Sequence, residues 1–364
     1  MAKLNCAAHF KEKSAKARKG IGMIKQLREY LPTNVLDQIY KMHARSHLDY
    51  CDFIYHIPEL RQKENNSDNE TEEYYDDNND SDDPIEDENS DLGNDIHTYY
   101  RTDIKLNYQM HALESLQYQA GLAVTGAWKG SSTQKIYDEL GWESLHHRRY
   151  FRRITQFFKI MNGLTPQYLV DPVPVPRRHL FGRHPTNDLY EFSYRNQRFL
   201  NSFYPDSVIC WNKLSPETRK IDTLKKFKEN ILKDIKPEPK SIFNLHDPDG
   251  VKFIYQLRVG LSPLREHKNR HNFLDTPCDL CSCGTGTEST EHFLLKCPLY
   301  TEPRKDLFLT TNSFIEPKLQ SLHALDNTSL IEIILYGHKS LNPSQNKGLL
   351  SATIDYIRKT ERFN

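Results

Sequence analysis

Four potential metal ligands lie close together towards the end of the sequence. Cys278-x2-Cys281 is followed by His292-x4-Cys297, and a Gly- and Thr-rich stretch separates the two pairs. Protein-bound Zn²⁺ takes four nitrogen and sulfur ligands in a tetrahedron, commonly as two closely spaced pairs. The spacing therefore predicts a zinc site formed by Cys278, Cys281, His292 and Cys297.

Two alternatives to that ligand set remain open. Cys283 lies between the pairs and can replace either of the first two cysteines, or the cysteines are reduced, buried and free of metal. A site with four protein ligands has no open position for a substrate, so zinc here would hold loops together rather than catalyse a reaction. His267 and His271 lack a closely spaced partner, and we expect both to be surface histidines.

A second short pattern, Tyr74-Tyr75-Asp76-Asp77, matches the Tyr-x-Asp-Asp tetrad of polymerase palms. A palm tetrad lies on a hairpin between apolar strands, which fixes its two carboxylates on metal ions. Here the neighbouring residues are acidic or asparagine. We interpret the tetrad as a chance match within an acidic tract and expect no catalytic residue there.

Charge is unevenly distributed along the 364 residues. The chain has 49 Lys and Arg and 49 Asp and Glu, yet residues 64–98 contain fifteen acidic side chains and no Lys or Arg. Without that segment, 49 basic and 34 acidic residues leave an excess of 15 positive charges. We therefore expect a disordered acidic insert over residues 62–98, in a protein that otherwise favours polyanions.

Cysteine usage and hydropathy indicate the cellular compartment of the protein. The seven cysteines are odd in number and four of them crowd into one segment, which does not suit a disulfide framework. The N-terminal residues are basic and amphipathic, without the apolar run of a signal peptide, and no segment approaches the ~20 apolar residues that span a bilayer. We expect an intracellular protein, nuclear or cytoplasmic, that makes no membrane contact.

Helical periodicity predicts a mainly α-helical chain. Helices over residues 3–30 and 143–161 carry dense runs of basic side chains beside apolar faces. Residues 171–205 are rich in Pro, Arg and aromatic residues, which favours an extended basic linker whose rings stack on single-stranded nucleic acid; the same rings equally suit a strand packed on a core. The candidate nucleic-acid contacts are Lys11, Lys16, Arg18, Lys19, Arg148, Arg149, Arg152, Arg153, Arg177 and Arg178.

A series of short blocks covers nearly all of the chain outside the acidic insert. Each block is a weak signal alone, but their order makes the set specific. The set resembles the C-terminal part of reverse transcriptases from non-LTR retrotransposons. The blocks are KARKGIG (16–22), IYK (39–41), RSHLDYCD (45–52), QYQA (117–120), TGA (125–127), YDELGWESL (137–145), RR (148–149), FYP (203–205), WNKL (211–214), QLRVGLS (256–262) and EHFLLKC (291–297).

The resemblance implies a fold, a domain order and partners. Such enzymes copy their own RNA into a nicked chromosomal target, so the implied partners are RNA and DNA and the implied cofactor is zinc. The implied fold is a thumb-like helical bundle, an extended basic linker and a small C-terminal α+β Cys/His domain of the zinc type. The expected order is thumb-like helices, acidic insert, thumb-like or connection helices, basic Pro/aromatic linker with a helix, and Cys/His domain, at residues 1–61, 62–98, 99–170, 171–240 and 241–364.

The sequence also departs from that family. It contains no fingers or palm, no Phe-Ala-Asp-Asp tetrad and no endonuclease domain. Two-metal phosphoryl transfer needs a fixed pair of carboxylates, so we expect this polypeptide alone to bind nucleic acid without polymerising it. The alternative is a domesticated or degenerate interaction protein, whose acidic insert contacts basic partners and whose helices serve as scaffold.

Overall fold

The computed structural model describes residues 7–50, 52, 108–174, 189–193, 197–232, 242, 245–315 and 325–363. The predicted acidic insert, the Tyr74–Asp77 tetrad, Arg177 and Arg178 lie outside these residues. The described residues are mainly helical and form no strand, so the mainly α prediction is confirmed. They contain an antiparallel bridge between Leu280 and Thr287, and the β part of the predicted Cys/His domain is not confirmed.

The helices of the N-terminal half form one side of a large core. Gly20 lies where α1 crosses the following helical run, and a Cβ there would come within 2.5 Å of the carbonyl oxygen of His43. Tyr40 stacks on Trp142 with ring centroids 3.9 Å apart, and its hydroxyl donates to Gln117 over 2.7 Å. The elements are α1 (Ala7–Leu27), α2 (Thr33–Tyr40), a π-helical segment (Lys41–Arg45), α3 (Ser46–Leu48), α4 (Tyr108–Thr125), α5 (Thr133–Leu140) and α6 (Leu145–Met161).

Capping residues set several of the helix boundaries. Ser132 accepts a hydrogen bond from the backbone N–H of Lys135 at the start of α5, and Ser144 accepts one from His147 at the start of α6. Gly141 ends α5 in the left-handed conformation, at a φ of 65°. The second helix differs, because Pro32 precedes it and no side chain caps it.

A second, smaller core forms around the later part of α6. Phe158 of α6 stacks on Phe227 with ring centroids 4.1 Å apart, and Val208 and Trp211 are buried beside them. Of the aromatic residues in the predicted linker over 171–205, Phe192, Phe203 and Tyr204 pack against this core, whereas Tyr190 and Phe199 are exposed. The helices of this region are α7 (Gln167–Val170), α8 (Gln197–Leu200), α9 (Phe203–Asn212), α10 (Pro216–Arg219) and α11 (Leu224–Leu232).

The C-terminal helices complete the large core. Arg258 joins two of them to α5 of the N-terminal half, because its guanidinium lies 2.7 Å from Glu139 of α5 and donates to the carbonyl of Leu335. None of the helices in the described ranges has the length and apolar character needed to cross a membrane. The elements are α12 (Pro248–Val259), α13 (Arg265–Arg270), a π-helical turn (His292–Lys296), a 3₁₀ turn (Pro298–Tyr300), α14 (Thr301–Ile315), α15 (Asn327–Tyr336) and α16 (Pro343–Lys359).

Candidate metal centre

A tight hairpin positions the first two donor residues. The backbone N–H of Cys281 donates to the carbonyl of Gly286 over 2.8 Å, and that of Glu288 donates to Asp279 over 2.8 Å. Gly284 turns the chain with a φ of +75°, a conformation that glycine adopts without steric cost. The turn places the sulfurs of Cys281 and Cys283 on the same side of the hairpin, facing the following helical turn.

A π-helical turn positions the other two donors. The backbone N–H of Cys297 donates to the carbonyl of His292 over 2.7 Å, an i to i+5 hydrogen bond. In that wider turn, residues five apart point in more similar directions than in an α-helix, where they are about 140° apart around the axis. The His-x4-Cys spacing therefore brings both side chains to one side of the turn. Ser289 accepts a hydrogen bond from the N–H of His292 and fixes the start of the turn.

Cys281, Cys283, His292 and Cys297 offer one donor atom each, and these atoms lie within 4.8 Å of one another. The sulfurs of Cys281 and Cys297 are 3.7 Å apart, and the sulfur of Cys283 is 3.2 Å from Nε2 of His292. A tetrahedral Zn²⁺ with Zn–S bonds of about 2.3 Å separates two sulfurs by about 3.8 Å and a sulfur and nitrogen by about 3.6 Å. These two separations are thus close to tetrahedral values, and the group could hold a metal ion.

The three thiols of the group have different electrostatic surroundings. Burial raises the pKa of Cys281, and burial raises the pKa of Cys297 to about 12. Hydrogen bonding to Thr285 lowers the pKa of the Cys283 thiol to about 6, since its side chain lies 3.0 Å away and its backbone N–H also donates to the sulfur. A metal ligand must be a thiolate, so Cys283 is the thiol that is readiest to bind.

Two arginines, buried Arg304 and half-buried Arg362, hold the two halves of the centre in place. Arg304 donates to the carbonyl of Leu294 and, over 2.6 Å, to that of Cys297, which fixes the π-helical turn. Arg362 donates two hydrogen bonds of 2.7 Å to the carboxylate of Glu288, which ends the hairpin. Burial opposes ionisation of Glu288, but the hydrogen bonds from Arg362 outweigh it and lower the pKa of the carboxyl. These arginines follow the motif in sequence without any recognisable spacing, so the sequence analysis missed them.

The favoured ligand set and the observed group differ at one residue. Cys278 is exposed and lies outside the group, and Cys283, the alternative ligand, occupies its place. One of the two nearby histidines also differs from expectation. His271 is exposed, but His267 is buried, and its Nδ1 lies 2.8 Å from the hydroxyl of Ser262. Burial lowers the pKa of His267 to about 4, so it is a neutral core histidine rather than a surface one.

The predicted nucleic-acid contacts of α1 lie on its outer face. Lys11, Lys16, Arg18 and Lys19 are all exposed, while Ala17 and Ile21 of the same helix are buried in the large core. Lys16 lies 2.6 Å from the exposed carboxylate of Glu12. These four cations thus remain accessible to a polyanion.

The predicted contacts of α6 have a different environment. Arg153 is 2% exposed and pairs with buried Asp206, and Arg149 is 3% exposed and donates to the carbonyl of Leu48. Neither presents a surface to nucleic acid, which corrects the sequence interpretation for these two arginines. Their partners lie 53 and 101 residues away, out of reach of any local pattern.

The remaining two arginines of α6 are half-buried in ion pairs. Arg148 lies 2.8 Å from Asp49, and Arg152 lies 2.9 Å from Asp52. The Asp49 carboxylate keeps the pKa of Arg148 raised despite its burial. Both side chains therefore already neutralise carboxylates of the protein itself.

No family model, curated protein or solved structure matches this chain. The resemblance to non-LTR reverse transcriptases therefore rests on the sequence blocks and their order.

Proposed function

We propose that this chain is a nucleic-acid-binding polypeptide related to the C-terminal part of non-LTR reverse transcriptases, with a structural zinc site. The observation that carries the proposal is the group Cys281, Cys283, His292 and Cys297, whose donor atoms lie within 4.8 Å of one another. One nitrogen and three sulfurs are a donor set that suits Zn²⁺. Because four protein ligands close the coordination sphere, the ion would fix the hairpin to the π-helical turn.

The support for nucleic-acid binding is electrostatic. The outer face of α1 presents Lys11, Arg18 and Lys19, and outside residues 64–98 the chain has 49 basic and 34 acidic residues. Cations of this kind follow a phosphate backbone without reading its sequence, and they release counterions on binding. Binding to RNA and DNA should therefore weaken steeply as salt is raised.

Contacts between the sequence blocks support the proposed relationship to non-LTR reverse transcriptases. The hydroxyl of Tyr40 donates to Gln117 over 2.7 Å, the ring of Tyr40 stacks on Trp142, and Gln117 donates to the carbonyl of Glu143 over 2.8 Å. The blocks at residues 39–41, 117–120 and 137–145 thus share one buried network, although they are far apart in sequence. Residues that build such a network are those a shared fold would retain.

Zinc content tests the metal site. Purified wild-type chain should contain about one zinc per molecule by elemental analysis, and Cys283→Ser and Cys297→Ser should lose it. Cys278→Ser is the matched control and should retain zinc, because Cys278 lies outside the group. Loss of zinc from Cys278→Ser with retention in Cys283→Ser would restore the ligand set favoured by sequence spacing. No zinc in any form would remove the metal proposal.

Fluorescence anisotropy of a labelled mixed-sequence RNA tests the binding function. The wild-type chain should bind, with log affinity falling linearly with log salt concentration by about 0.7 per contacted phosphate on a single strand. A slope of zero, or no binding at low salt, contradicts the nucleic-acid proposal. That result would favour the interaction-protein alternative.

A further inference from the structure

A second cationic surface lies around the C-terminal end of α12. Nζ of Lys135, from α5, is 3.4 Å from the carbonyl oxygen of Val259, and Nη2 of Arg270, from α13, is 3.4 Å from that of Gly260. The end of a helix carries partial negative charge, which favours nearby cations. Helix α12 thus holds two exposed cations from distant parts of the chain side by side.

The imidazole of His271 adjoins these two cations. Besides its burial, the charges of Arg270 and Lys135 lower the pKa of His271, which places all three groups within electrostatic reach. Neither Lys135 nor Arg270 forms an ion pair within the described residues, whereas neighbouring Lys268 pairs with Asp275. The surface therefore keeps its positive charge available to a ligand.

Aromatic rings border this cationic surface. Trp128, from the loop before α5, packs on Phe273, which follows α13, with ring centroids 5.7 Å apart and planes tilted by 37°. Both rings are half-buried, and the adjacent Leu274 is fully exposed. The other two tryptophans, Trp142 and Trp211, are each only 4% exposed. Trp128 is consequently the tryptophan that a ligand can reach.

We propose that this surface, the Trp128 patch (Trp128, Lys135, Arg270, His271 and Phe273), binds single-stranded nucleic acid. Phosphates contact the cations, and an unpaired base stacks on the exposed part of the Trp128 ring. Proteins that bind single strands combine cations with aromatic rings, since every base has a face for stacking. An acidic peptide would use the cations but not the rings. The inference rests on the proposed nucleic-acid-binding function and assigns it a site separate from α1.

The test uses the full-length chain with a fluorescein-labelled single-stranded oligonucleotide at fixed salt. Lys135→Glu/Arg270→Glu should weaken binding about tenfold or more, because it reverses two phosphate contacts. The control, Lys225→Glu/Lys226→Glu, makes the same net charge change with exposed lysines of α11, beside the smaller core. It should weaken binding by less than about twofold. Circular dichroism and zinc content confirm that both variants fold.

Tryptophan fluorescence supplies an independent readout. Unlabelled single strand should quench the wild-type emission, and Trp128→Leu should remove that quenching and weaken binding. If the wild-type chain binds but the patch variant matches the control, or binding causes no quenching, the patch assignment is overturned while the proposed function stands. If the wild-type chain does not bind at all, the proposed function itself fails. Equal affinity for poly-glutamate, lost in the same patch variant, would replace the nucleic acid with an acidic peptide.

Discussion

Helices α1 and α6 are both rich in basic residues, yet the fold uses their charges in opposite ways. On α1 the buried positions are apolar, and Lys11, Arg18 and Lys19 point to solvent. On α6 two of four clustered arginines are buried within the protein. The comparison teaches that the density of cations along a helix does not identify a nucleic-acid surface. The position of the cations relative to the buried face of the helix determines whether they can contact nucleic acid.

The two helices differ because, in the part of the chain that the structure describes, hydrogen-bond acceptors lie close to the arginines of α6 and not to most cations of α1. Burying a guanidinium is tolerated only when a carboxylate or carbonyl compensates it. Asp206 of α9 compensates Arg153, and the carbonyl of Leu48 accepts from Arg149. Among the described residues, the outer face of α1 meets no such acceptor apart from exposed Glu12 beside Lys16. An exposed pair of that kind contributes little to stability, so those cations stay available.

The largest effect is expected from breaking the buried pair of α6. Arg153→Met leaves the carboxylate of Asp206 buried without its partner and should lower the free energy of unfolding by about 3–5 kcal/mol. Urea denaturation measures the loss. The double variant Arg153→Met/Asp206→Leu removes both charges and should recover most of it. A single variant as stable as the wild type would show that Arg153 is not structural.

A smaller effect is expected at the half-buried edge of the same helix. Arg152→Ala removes the 2.9 Å pair with Asp52, whose carboxylate is buried. Leaving that carboxylate without its cation should cost about 1–3 kcal/mol of unfolding free energy, again by urea denaturation. If Arg152→Ala instead preserves stability and weakens RNA binding, the half-buried arginines contact nucleic acid, as the exposed basic residues of α1 are expected to do.

The smallest effect on stability is expected on α1. Lys11→Gln/Lys19→Gln changes two exposed side chains that form no ion pair within the described residues. The free energy of unfolding should change by less than about 0.5 kcal/mol. RNA affinity at low salt should nevertheless fall several-fold, as measured by fluorescence anisotropy. A large loss of stability would mean that this face is covered in the folded protein.

Much of the helical fold could be predicted from local signals. The start of α5 follows from Ser132, its end from Gly141, and the burial of α1 from the spacing of Ala17, Ile21 and Ile24. The burial of two α6 arginines could also be predicted in part. Leu145, Arg149, Arg153 and Phe157 recur every four residues, which places both arginines on the apolar face. The residues that neutralise them could not be identified, because those contacts are long-range.

The metal site likewise combines features that the sequence predicts with features that depend on the fold. His292-x4-Cys297 is visible in sequence, and the need for four ligands follows from the chemistry of zinc. The choice between Cys278 and Cys283 depends on how the hairpin turns at Gly284, which spacing alone does not determine. Arg304 and Arg362 become recognisable as supports only when the later helices fold back onto the site.

One side-by-side measurement tests the contrast between the two helices most directly. The salt dependence of single-stranded RNA binding is compared for wild type, Lys11→Gln/Lys19→Gln and Arg153→Met/Asp206→Leu, all verified as folded. The account predicts that the α1 variant reduces the log–log slope by about 1.4, two phosphates at about 0.7 each, while the α6 variant leaves it unchanged. A reduced slope in the α6 variant with an unchanged slope in the α1 variant would contradict it.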